Sequence, residues 1–275
     1  MSMWPPLKPR LKRAVAVPSS TFSNLSEPAR TFHVALLARA VTIFRVEEVA
    51  IYQESGHPCA ELKRILDALE VPQYLRKYLV PRSREYRYLG LVPPLRSPSH
   101  LLRGEESEYR EGYVVSRRGT KALVDVGLGN PVEAEVPTDA GRRVTLRREG
   151  AGWRYVSPEE VKVYWGYRTK CYSSLREALE HYRSRGFLLV GTSRKAAPVS
   201  LVLEEIKREA TAKNGVAVFF GTWNKGLQEI SEEEGFELES FLDFIVNTAP
   251  IQGVKTIRTE EAVYISLAIL NLNLE

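Results

Sequence analysis

Three segments of this 275-residue chain gather glycine, threonine, asparagine and a cation in a pattern suited to seating a small ligand against main chain. They are Gly191-Thr-Ser-Arg194, Gly221-Thr-Trp-Asn-Lys-Gly226 and Asn247-Thr-Ala-Pro-Ile-Gln-Gly-Val-Lys-Thr-Ile-Arg258. Gly191, Gly221 and Gly253 permit a backbone approach that a Cβ would block, although a glycine after a strand is also an ordinary turn residue. None of the three carries the GxxxxGK[ST] phosphate cradle, and Gly127-Leu-Gly129 lacks the third glycine of a dinucleotide fingerprint. Phosphoryl transfer and nicotinamide chemistry are therefore disfavoured. Cys59 and Cys171 have no Cys or His partner at metal-ligand spacing, and the four histidines are scattered. No metal is expected, and the cysteines read as two incidental thiols in a reducing compartment.

Those loops need a scaffold, and the surrounding pattern supplies one. Ala14–Val17 reads as a short buried strand, followed by a helix with Ser26 as cap and Pro28 in its first turn, running to about Arg39 with Phe32, Leu36 and Ala40 on one face. Val41–Tyr52 reads as a strand and Ala60–Leu69 as a helix. Later come helix Leu175–Ser184, strand Phe187–Val190, helix Ser200–Ala212, strand Val216–Phe220, a short helix or loop at Gln228–Gly235, strand Phe244–Val246 and helix Thr259 to about Leu272. Strands alternating with helices predict a parallel sheet, whose ligands bind beyond the carboxyl ends of its strands. That rule selects the three loops. Between the α/β pieces the texture changes. Tyr113–Val115, Ala122–Val126, Val132–Val136, Arg143–Leu146 and Val161–Tyr164 predict a small five-stranded barrel of OB type. The expected organisation is an α/β domain of residues 1–83 and 166–275, interrupted by a β-barrel insertion of residues 84–165.

The net charge of +5 is unevenly spread. Residues 1–81 carry +4, residues 82–165 carry +3, and residues 166–275 carry −2. A polyanion would therefore dock on the first two segments rather than on the loops, although surplus arginine also makes a solvated or thermostable surface. Within the insertion, Arg117-Arg118, Arg142-Arg143 and Arg147-Arg148 are interspersed with Tyr113, Trp153 and Tyr155. Cations for phosphates and aromatic faces for bases make a single-strand RNA surface; the competing reading packs the aromatics into the barrel and leaves the arginines solvated. The basic, proline-rich N-terminus lacks the apolar core of a signal peptide, and no apolar run approaches the ~20 residues of a membrane span. A cytoplasmic protein is expected.

Val218–Leu227 and Asn247–Ala262 resemble the two knot-forming motifs of the SPOUT methyltransferase superfamily, and Leu37–Phe44 resembles its first motif, an arginine ending a helix before a strand. Tyr74–Tyr78 and Gly90–Leu95 further resemble an archaeal and eukaryotic branch with an OB-like insertion. The resemblance implies a trefoil-knotted parallel sheet binding S-adenosylmethionine as cofactor, and an RNA methyltransferase acting on a structured RNA, ribosomal or transfer. It places Gly221, Asn247 and Thr259 in the donor pocket, Ile251, Val254 and Ile257 around the adenine, and Arg194 as a fourth polar contact. Thr259 also suits a helix N-cap, and Gly226 reads as structural. Arg39 would face the methyl donor as the catalytic arginine, the alternative being a helix-terminal cation satisfying carbonyls. Asn24 is a further candidate in the same region, and Glu260 a candidate base. The last helix, apolar around most of its circumference, must be buried on several sides; the resemblance implies a homodimer interface there. A second reading keeps the fold and cofactor binding without turnover, as an RNA-binding ribosome-assembly factor.

Overall fold

The computed structural model describes residues 4–54 and 56–275. They form two compact units, one of Pro9–Asp67 with Tyr167–Glu275, the other of Ala68–Gly166 with the N-terminal residues to Lys8. In chain order the elements begin β1 (Lys12–Pro18), α1 (Ala29–Ile43), β2 (Glu48–Tyr52), α2 (Cys59–Glu70) and the single turn α3 (Arg76–Leu79). The insertion contributes β3 (Tyr109–Arg118), β4 (Lys121–Asp125), β5 (Val132–Glu135), β6 (Arg143–Glu149) and β7 (Gly152–Val156). Then come β8 (Arg168–Tyr172), α4 (Leu175–Ser184), β9 (Phe187–Thr192), α5 (Leu203–Ala210) and β10 (Gly215–Phe219). The chain closes with α6 (Leu227–Glu233), β11 (Phe244–Val246) and α7 (Thr259–Leu274).

The first unit is a six-stranded parallel sheet in the order β11-β9-β10-β1-β2-β8. Its central strands are continuous apolar runs because both faces are covered. Ala14, Ala16, Ala50, Tyr52, Leu189, Ala217 and Phe219 pack on one side with Leu175, Leu179 and Tyr182 of α4 and Leu227 and Ile230 of α6. Alternation then turns the buried Val15, Val17, Val49, Ile51, Val216 and Val218 to the opposite face. Helices α1 and α7 pack against each other.

Four local expectations need correction. Val41–Ile43 continue α1 instead of opening a strand: Val41 is fully buried, Thr42 Oγ1 donates to Ala38 O at 2.7 Å, and Val46 N closes back on Val41 O at 2.8 Å through Arg45 at φ 54°. Arg39 consequently lies inside the helix, not at its end. Ser26 does not cap α1 with its side chain; Glu27 Oε2 accepts from Thr31 N at 3.2 Å instead. Edge strand β8 was not foreseen, because only Tyr172 of its five residues is buried and the alternation is lost. Val161–Tyr164 is not a strand either. Val161 and Val163 pack against Tyr109 and Val156, and β7 completes the barrel.

The cysteines also depart from expectation. Cys59, opening α2, and Cys171, on β8, are joined in a disulfide with Cα atoms 6.0 Å apart. Residue spacing alone could not bring them together; the parallel pairing of β2 with β8 sets Cys171 beside Ile51, whose carbonyl oxygen lies 3.7 Å from Cys59 Sγ. Because the bond closes a loop of 112 residues, Cys171→Ser should lower stability by about 2–4 kcal/mol, read as a shift of the urea midpoint, and the denatured native chain should titrate no thiol until reductant is added.

The insertion is a five-stranded antiparallel sheet in the order β5-β4-β3-β6-β7. Its outer strands β5 and β7 come into contact, curling it into a barrel around Val114, Val124, Ala134, Val144 and Leu146. In the same unit His100 is buried, with Nδ1 accepting from Ser97 Oγ at 2.7 Å and Nε2 donating to Leu69 O at 3.3 Å. Burial pushes this imidazole down to about 4. The folded state therefore holds His100 neutral where the unfolded chain would bind a proton. Its contribution is complete above about pH 6.5 and is lost as pH falls toward 4, a loss of up to about 3 kcal/mol. Urea unfolding of His100→Gln should lack that part of the acid dependence.

Candidate donor-binding site

The carboxyl ends of β9, β10 and β11 lie side by side, and the loops that follow them enclose a cavity of about 450 Å³. That volume suits a ligand of nucleoside size. The first loop is strapped to the third by main chain: Ser193 N donates to Val246 O at 3.0 Å, Asn247 N to Ala197 O at 2.9 Å, and Val199 N to Asn247 O at 2.9 Å. Asn247 adds its side chain, with Nδ2 donating to Arg194 O at 2.9 Å and Oδ1 accepting from Ala249 N at 2.9 Å. The second loop is a closed turn in which Thr222 N donates to Lys225 O at 2.7 Å and Lys225 N to Thr222 Oγ1 at 2.8 Å. Beneath it, Tyr52 Oη donates to Phe220 O at 2.5 Å; complete burial raises this phenol well above the usual range, so it remains a donor.

Arg194, Gly221, Asn247, Ile257 and Thr259 all line the cavity. Ile251 and Val254 do not: they share the third loop but are exposed, Ile251 completely and at φ 56°. Arg39 is absent from the lining, and its charge acts on Tyr264 of α7. Thr259 is buried as the first residue of α7, not its N-cap; Arg258 precedes it, and Arg258 N donates to Glu261 Oε2 at 2.8 Å. The three loop glycines differ in purpose. A Cβ on Gly191 would meet Leu242 Cδ1 at 2.4 Å, which makes that glycine a packing requirement. A Cβ on Gly253 would meet nothing within 4 Å. Only at Gly221 would a Cβ strike the loop's own backbone, with Lys225 O at 2.6 Å. Gly226 opens α6, and Glu229 Oε2 accepts from its N–H at 2.9 Å.

Sequence reasoning overlooked Thr192, Phe220, Leu227, Leu238 and Thr256, which also line the cavity. Leu227 and Leu238 also belong to the core beneath the sheet, so no signal in the sequence separated their place on the cavity wall from ordinary core packing. The rim cations are paired: Lys195 Nζ lies 2.9 Å from Glu229, and Lys225 Nζ 2.9 Å from Glu233 and 3.4 Å from Glu54. The Lys195 ammonium holds the Glu229 carboxyl below its ordinary range. Arg194 Nη1 donates to Lys255 O at 3.1 Å, clasping the third loop. Among the described residues, the main-chain N–H groups of Gln252, Thr256 and Ile257 have no protein acceptor, and all three residues line the cavity. Such a site can hold a planar heterocycle edge-on against backbone; its chemistry is positioning.

The chain matches the family described as "Putative RNA methyltransferase" over residues 12–270. It is 33% identical to the mouse (Mus musculus) 28S rRNA (uridine-N(3))-methyltransferase, covering 94% of this chain and 75% of that protein. The human (Homo sapiens) protein of the same description is 32% identical over 94% of this chain and 77% of its own length. Among solved structures, an RNA 2'-O ribose methyltransferase aligns with 100% of this chain and 60% of its own, at 12% identity and a TM-score of 0.42. With nearly its whole length matched, the chain is a member of this RNA methyltransferase family.

Proposed function

We propose that the three-loop cavity binds S-adenosylmethionine and that the chain methylates N3 of a uridine in ribosomal RNA. The observation that carries the reading is the convergence of the loops on one cavity whose wall offers unpaired main-chain amides. Those of Gln252, Thr256 and Ile257 would read the adenine edge, with the Ile257 side chain against its face. Gly221, Asn247 and Thr259 would hold the ribose and the amino-acid portion, and Arg194 would keep the third loop closed. When bound, the donor supplies an electrophilic methyl on sulfur. The protein's contribution is to fix that carbon in line with the target atom and to exclude water. Ile251 and Val254 reach the adenine only if their loop folds inward, so donor binding should slow hydrogen exchange across residues 249–258. A backbone threaded as a trefoil knot accords with this arrangement.

Not all of the arginines expected to hold RNA are available for it. Arg143 is bound to Glu70 and Glu111, Arg147 to Glu108 and Arg117 to Asp139. Tyr113 stacks on Tyr78 at 4.2 Å, while Trp153 and Tyr155 pack against the barrel core. A better RNA surface in the same unit is a groove of about 730 Å³ lined by Arg76, Lys77, Arg82, Arg84, Tyr86 and Arg87. Arg82, Arg84 and Arg87 are exposed and make no ion pair among the described residues. Replacing Arg84 and Arg87 with alanine should weaken RNA binding and lower the slope of log K against log salt by about two, with donor affinity unchanged. A homodimer would use α1 and α7, which leave Phe32, Ile43 and Leu272 exposed.

The decisive experiment is incubation of the purified chain with ribosomal RNA and the donor, followed by mass spectrometry of the nucleosides. N3-methyluridine is the expected product. Donor binding without any methylated nucleoside would leave the assembly-factor reading in its place.

A further inference from the structure

Beside the cavity, residues 257–260 face alternately in two directions. Ile257 and Thr259 line the cavity, whereas Arg258 and Glu260 reach His33 on α1. His33 Nδ1 lies 2.6 Å from Glu260 Oε1, and Arg258 Nη1 lies 2.7 Å from His33 Nε2. A guanidinium has donors only, so Nε2 must be the accepting, unprotonated nitrogen. The ring proton is then on Nδ1 and is donated to Glu260. That carboxylate is 2% exposed, and its second oxygen, Oε2, is buried without a hydrogen-bond partner. A buried carboxylate with an unsatisfied oxygen is costly unless a positive charge forms beside it. The imidazole is held by the rings of Phe22 and Phe32, at 5.7 and 6.1 Å between centroids.

We propose that His33 is the general base of methyl transfer and Glu260 its positioning residue, a role that rests on the uridine-N3 reading. A uridine imide nitrogen carries a proton that must leave as the new bond forms. In this step the N3–H bond breaks and its proton passes to His33 Nε2. N3 forms its bond to the methyl carbon as the carbon–sulfur electron pair passes to sulfur, leaving a neutral thioether. The resulting imidazolium keeps its Nδ1–H on Glu260, whose charge it balances, as the carboxylate does in a Ser-His-Asp triad. Arg258 is exposed; it occupies Nε2 until an RNA phosphate offers its guanidinium a better, bidentate partner.

The test is single-turnover methyl transfer to a ribosomal RNA fragment with saturating donor. His33→Ala should lose about 10²–10⁴-fold in rate, with donor affinity by calorimetry unchanged, and imidazole added to the buffer should restore part of the rate. His33→Asn should behave alike without rescue if its amide fills the space. Glu260→Gln should keep donor affinity and fold and lose at least about tenfold in rate. Undiminished turnover by His33→Ala, or a slow His33→Ala chain that is folded, binds donor and is not rescued by imidazole, would overturn the assignment. Native turnover at another RNA atom would remove the uridine reading and this base together. Native uridine methylation retained by His33→Ala would remove the base alone.

Discussion

Gly221→Ala is expected to weaken donor binding by on the order of 100-fold while leaving the parallel-sheet unit folded. The added Cβ would lie 2.6 Å from Lys225 O, 2.9 Å from Gly226 Cα and 3.0 Å from Gly226 C. All three are backbone atoms, so no side-chain rotation relieves the clash. The turn that carries them is tied by three Thr222–Lys225 hydrogen bonds, so it must shift as a body. That turn forms one wall of the cavity. Displacing a binding wall by about 1 Å costs on the order of 100-fold, and calorimetry with S-adenosylmethionine would read the loss directly. Gly253→Ala is the matched control, because a Cβ there meets nothing within 4 Å and the residue's φ needs no glycine; it should bind as the native chain does. Equal, native-like binding by both variants would remove the cavity as the donor site.

Arg143→Met should destabilise the barrel unit by up to about 3 kcal/mol, the low end of the cost of breaking a buried ion pair from one side, because Glu111 is buried while Arg143 and Glu70 are partly exposed. Arg143 Nη1 is 2.5 Å from Glu70 Oε2 and Nε 2.6 Å from Glu111 Oε2. The two carboxylates hold its guanidinium firmly in the charged form, well above the ordinary range against the cost of burial. Glu111 also accepts from Thr145 Oγ1 at 2.8 Å and from the Trp165 indole. Without Arg143, the buried Glu111 carboxylate and the partly exposed Glu70 carboxylate would lose the cation that lies between them. Adding Glu70→Gln and Glu111→Gln to the variant should recover most of the loss. The urea transition followed by Trp153 and Trp165 fluorescence would measure both. A loss under about 1 kcal/mol, the range of exposed pairs, would mean that solvent screens the cluster.

The α/β class, the inserted barrel and the three loops at one sheet edge were legible because each has a local signature. Buried parallel strands such as Val216–Phe219 are unbroken apolar runs, and glycine, asparagine and threonine cluster where those runs stop. Strand β8 was hidden because an edge strand buries little and so writes little into its composition. Val161–Tyr164 misled for the opposite reason: its apolar residues serve packing beneath the barrel without a ladder.

The chain's own order of residue types determined which loops would carry the ligand, because loop chemistry and strand ends are neighbours in sequence. Tertiary structure alone decided what depends on partners far apart. It joined Cys59 to Cys171, turned Arg143 from an RNA contact into a part-buried ion pair, and set His33 against Glu260 across 227 positions. It also separated Gly221, whose missing Cβ the loop requires, from Gly253, where nothing stands in the way. Spacing specifies a residue's neighbours along an element; which side chain meets it across the core is set by sheet order and helix packing, and no local pattern records that.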